Sequence, residues 1–93
     1  MSAIGEVTIT NSIRRWENEV KHWTRGVAVY REQLQGLAQE LAQAAVMGDP
    51  VSPVAREVDA YVRCVVRAER TLQAAVERLA FYRGRLELER GSN

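Results

Sequence analysis

Residues 44–58 read AAVMGDPVSPVAREV, and this stretch decides the fold. Gly48 suits the left-handed position that follows a helix, and Pro50 blocks continuation. Ser52 is a good N-cap. Pro53 at the first helical position gives up an N–H that has no partner there anyway. One helix therefore ends and another begins within about five residues, a connection typical of antiparallel neighbours.

Upstream, the apolar positions are Ile13, Trp16, Val20, Trp23, Val27, Tyr30, Leu34, Leu37, Leu41 and Ala44. They alternate intervals of 3 and 4 without a break, which is a heptad seam with apolar a and d positions. Downstream the seam is Val54, Val58, Tyr61, Val65, Ala68, Leu72, Ala75, Leu79, Tyr82 and Leu86. Gly26 and Gly36 each cost the first helix about 1 kcal/mol relative to Ala, which a long seam absorbs. The fold expected is all-α: an antiparallel two-helix coiled-coil hairpin, pairing into a four-helix bundle. The hairpin occupies residues 11–90, with helices over 12–47 and 53–89, a turn over 48–52 and a tail at 91–93. Residues 1–10 alternate polar and β-branched side chains in Glu6-Val7-Thr8-Ile9-Thr10, which favours an extended N-terminal arm.

Facing an a residue with a d residue gives layers such as Trp16/Leu86, Trp23/Leu79, Leu34/Ala68, Leu37/Val65 and Leu41/Tyr61. Several set a large side chain against a small one, as interdigitation requires. The same register sets Glu17 opposite Arg83, Arg31 opposite Glu69 and Glu19 opposite Arg85. All three pairs are of opposite sign. Such exposed pairs add only ~0–1 kcal/mol each, but they select register and orientation.

The other e positions are small or apolar: Thr24, Ala38, Ala45, Val62 and Val76. The neighbouring b positions continue them with Ala28, Ala42, Val66 and Ala80. A second apolar strip thus runs along one edge of the hairpin, suited to burial against another helix pair. Phe81 and Leu88 lie at c, on the outside of the second helix. They form a candidate partner contact, or a place where the arm folds back. The interface residues expected are Ala38, Ala42, Ala45, Val62, Val66, Val76, Ala80, Phe81 and Leu88. The partner expected is a second copy, in a homodimer, or another helical protein.

A chain of 93 residues is one small domain, marginal without a partner. The net charge of +1 gives no overall attraction to nucleic acid or to an acidic membrane. Cys64 is the single cysteine, so no intrachain disulfide forms. The start, MSAIGEVTITNS, has no basic segment leading into an apolar run, and no stretch approaches a membrane span. These features point to a cytoplasmic protein, with export by a route that needs no cleaved signal as the alternative.

Glu19-Val20-Lys21-His22 has the Glu-x-x-His spacing of carboxylate-bridged metal sites. Such sites need both residues in the bundle core. Here Glu19 is at g and His22 at c, while Trp16, Val20 and Trp23 point inward. His22 is the single histidine, and Cys64 lies several turns away from it, so no nucleophile–base pair is built. Gly48-Asp49-Pro50 lacks the lysine and the strand of a phosphate-binding loop. The expectation is no enzyme, no cofactor and no metal.

Arg56, Arg63, Arg67 and Arg70 line the outside of the second helix, and Arg14, Arg15, Lys21 and Arg25 that of the first. Weak nucleic-acid binding through these is one alternative, although no aromatic is interleaved to stack on bases. In size and outline the chain is also similar to the WXG100-like helical hairpins of type VII secretion. That family carries Trp-x-Gly at its turn, where this chain has Met47-Gly48-Asp49-Pro50-Val51-Ser52-Pro53. Here Trp23-Thr24-Arg25-Gly26 lies inside a helix. Leu86 stands four residues after Tyr82, where the family's export signal has an acidic residue. A WXG100-like role is the first alternative to an adaptor, assembly factor or structural subunit, and weak nucleic-acid binding the second.

Overall fold

The computed structural model describes residues 3–91. Two helices, α1 (Ala3–Met47) and α2 (Ser52–Gly91), form an antiparallel hairpin. The turn follows from its residues. Gly48 has φ 75°, the left-handed conformation that costs an L residue with a Cβ most. Its N–H donates to Ala45 O at 3.4 Å, and Asp49 N–H donates to Ala44 O at 2.9 Å. This paired closure is a Schellman motif, and it satisfies carbonyls that the helix end would otherwise leave open. The first bond of α2 runs from Ala55 N–H to Val51 O at 2.8 Å. Val51 therefore holds the cap position, one residue before the expected Ser52. Pro53 then sits second in the helix, still among the positions whose N–H has no helical acceptor.

The chain folds as two compact units, Arg25–Arg70 and Met1–Thr24 with Thr71–Asn93. The first contains the turn. Val27, Val65 and Ala68 are buried in it, and Leu34, Leu37, Leu41, Val58 and Tyr61 are half-buried. Arg31 Nε donates to Glu69 Oε1 at 3.1 Å across the e edge, which is the expected pair. The rings of Tyr30 and Tyr61 also meet edge-on, with centroids 6.5 Å apart. Layer pairing did not anticipate this contact, because layers treat side chains as pointing straight across.

The second unit contains both chain ends. Ala75 and Leu79 are buried, while Trp16, Val20, Trp23, Tyr82 and Leu86 are half-buried. Arg83 Nη2 lies 3.3 Å from Glu17 Oε2, again as expected. The Trp16 ring has the guanidinium carbons of Arg15 and Arg78 at 5.3 and 5.8 Å from its centroid, both within cation–π range.

Three further expectations need correction. The segment read as an extended arm is helical from Ala3, so α1 begins well before residue 12. Ile9 precedes Ile13 by one seam interval and is half-buried, so the heptad continues into this segment. The Thr10 hydroxyl donates to Glu6 O at 2.9 Å, a bond made within a helix by a β-branched residue. Glu6, in the first turn, suits the positive end of the helix dipole and accepts from Arg90 Nε at 3.1 Å. Residues 1 and 2 lie outside the described range. At the other end α2 includes Gly91, so the helix outlasts the expected end at 89, and residues 92–93 of the tail lie outside the described range.

The third correction is the Glu19–Arg85 pair, which does not form. Glu19 Oε2 accepts from Trp23 Nε1 at 3.2 Å, and Arg85 is 4.0 Å from Glu89. Both side chains take partners one turn away on their own helix, where less side-chain freedom is lost than in reaching across.

Candidate interaction surface

Among the described residues, no side chain is fully buried. A two-helix hairpin covers each seam residue from one side only, which leaves its core thin. What lies beside the seam therefore matters more than in a larger domain.

In the turn unit, Ala38, Ala42 and Ala45 on α1 and Val62 and Val66 on α2 are all exposed. Their e and b positions put them on one face. Val62 is 40% and Val66 39% accessible, so each gives up a large part of the ~1.5–3 kcal/mol that full burial of such a side chain yields. Beside them Arg63, Arg67 and Arg70 rise around an open hollow of about 310 Å³ floored by the two valines. The Arg31–Glu69 pair lies on the same edge. Nearer the turn, Val46, Met47 and Val51 are exposed as well. The expected interface does not include these three, although an apolar residue at f (Val46) and at g (Met47) departs from a solvated outer face.

In the end unit, Val76, Ala80, Phe81 and Leu88 are exposed. Phe81 meets Tyr82 edge-on with centroids 5.3 Å apart, and with Ala74, Glu77 and Arg78 it borders a second open hollow. Of the two readings of Phe81 and Leu88, the fold-back of an arm does not hold, because that segment is the first part of α1, and Phe81 remains 59% accessible. The nine expected interface residues thus fall into two sets, five in the turn unit and four in the end unit.

The residues considered for chemistry have the following surroundings. His22 is exposed, with its ring edge against Trp23. Glu19 is engaged with the Trp23 indole. Cys64 is half-buried in the turn unit, whereas His22 belongs to the end unit. Among the described residues, no group of three or more His, Cys, Asp or Glu side chains is disposed to hold a metal ion. None of the helices described is long and apolar enough to cross a membrane. The sequence matches no known protein family and no curated protein, and the structure matches no solved structure.

Proposed function

We propose that this chain is a non-enzymatic association module, an adaptor, assembly factor or structural subunit that acts by burying a helical face against a partner. One observation carries the reading. Ala38, Ala42, Ala45, Val62 and Val66 form an exposed apolar face beside a seam in which Leu34, Leu37, Leu41 and Tyr61 are only half-buried. Water is a poor neighbour for such a face, and a third and fourth helix would cover the face and the seam together.

Site-specific photo-crosslinking in the native cell tests this. A photoreactive side chain at Val66 is expected to give a discrete adduct, and one at Gln43, on the outer face of α1, is expected to give none. Equal labelling at both positions, or none at either, would remove the reading.

A further inference from the structure

We propose that the occupant of the turn-unit face is the same face of a second copy. The twofold axis runs along the hairpin, and both turns lie at the same end. This rests on the association reading and names its partner.

The symmetry fixes the contacts. An axis parallel to the helices leaves every residue at its own height and lays α1 of one copy against α2 of the other, antiparallel. In such a pair the e positions face b positions. Ala38 then meets Val66 of the second copy, Ala42 meets Val62, Gln35 meets Glu69 and Ala45 meets Asp59. The two central layers set a small residue against a larger one, as interdigitation requires. Each contact occurs twice, because the interface is isologous.

The flanking f positions provide a check that the apolar residues do not. Glu32 comes opposite Arg70 of the second copy, and Gln39 opposite Arg63. Arg63 and Arg70 are two of the three arginines that line the hollow with Val62 and Val66. Among the described residues, neither Glu32 nor Arg70 makes an ion pair within the hairpin. On the other flank, Leu41 meets Val65 of the second copy. Leu41 is half-buried and Val65 is already buried in its own seam, so this flank is apolar and the new burial there falls mainly on Leu41.

The competing arrangement turns the axis across the hairpin at Val62 and Val66 and stacks α2 on α2. It sets Asp59 against Glu69, Arg63 against Arg63 and Arg56 against Arg70. Every charged contact there is between like charges. Within the turn unit, electrostatic complementarity selects the axis along the hairpin; the same pairing rule would set Glu17 against Glu87 and Lys21 against Arg83 in the end unit, so the proposal is confined to the turn-unit face.

The test is the self-association of the full chain, followed by sedimentation equilibrium, with helicity checked by circular dichroism. A dimer is expected. Val66→Glu should leave a helical monomer, since Val66 is exposed in the hairpin. Glu32→Arg and Arg70→Glu should each weaken the dimer about tenfold, or ~1.4 kcal/mol over two symmetric contacts. The double variant should restore it to within about twofold. The competing axis predicts the opposite sign for Arg70→Glu alone, because that change relieves the contact with Arg56. A tighter Arg70→Glu dimer, or a double variant that is not rescued, overturns the proposal. A helical monomer at all concentrations overturns it too. A monomer that still crosslinks from position 66 to a different protein leaves the association reading standing, and a monomer with no adduct removes both.

Discussion

The same substitution, Gly→Ala, should have opposite effects at three positions of this chain, and steric room is not the reason. A Cβ added at Gly36, Gly84 or Gly48 meets nothing within 4 Å. Gly36 and Gly84 are exposed in helix interiors, with no positive φ. Alanine there removes the backbone-entropy cost of glycine and should add ~0.8–1 kcal/mol of stability at each site. Gly48 has φ 75° and closes the Schellman motif. Alanine in the left-handed region costs ~1–2 kcal/mol. Restricting the unfolded chain returns ~0.4–1 kcal/mol, so the net loss lies between about 0 and 1.6 kcal/mol. The assay is urea and thermal unfolding by far-ultraviolet circular dichroism at one fixed protein concentration, because self-association would make the midpoint concentration-dependent. For a domain of this size, 1 kcal/mol moves Tm by about 4–8 °C. Gly36→Ala and Gly84→Ala should each raise it, and together they should nearly add, since the sites are in different units. Gly48→Ala should lower it. A stabilised Gly48→Ala, or a destabilised Gly36→Ala, would refute the reasoning, because only backbone conformation separates the three sites.

Other perturbations probe the seam and its edges. Leu79→Ala removes a buried side chain of the end unit and should cost ~2–5 kcal/mol in urea unfolding, while a loss under 1 kcal/mol would mean that the site collapses freely. Ile9→Ala should cost roughly 1–2 kcal/mol, below the range for fully buried sites because Ile9 is half-buried; a loose arm would predict no change. A double-mutant cycle on Glu17 and Arg83 should give a coupling under ~1 kcal/mol that fades as salt rises, since both side chains are largely exposed. A coupling above 2 kcal/mol would contradict that exposure.

The hairpin was legible because its signals are local or periodic. Gly48, Pro50 and Pro53 punctuate the chain by backbone geometry, which needs no tertiary context. The seams from Ile13 to Ala44 and from Val54 to Leu86 repeat often enough to override three internal glycines, Gly26, Gly36 and Gly84. The register was legible too, in the Arg31–Glu69 and Glu17–Arg83 pairs, because an edge charge has few partners within reach across a coiled coil. The N-terminal segment was misread for a related reason. Over five residues, alternation of β-branched side chains resembles a strand. Ile9 as one more seam position and Glu6 within reach of Arg90 outweigh that local preference.

Sequence alone therefore determined the two helices, the turn between them, the identity of the inward face and the existence of a second apolar strip. Each depends on residue type and spacing, which repeat along one chain. Tertiary structure decided what a given side chain does with several partners in reach. It gave Glu19 to the Trp23 indole rather than to Arg85, brought Tyr30 to Tyr61 along the seam, and left Val62 and Val66 open beside Arg63 and Arg70. Such choices turn on differences of about 1 kcal/mol or less between neighbouring contacts, and these appear only when side chains take definite positions in space.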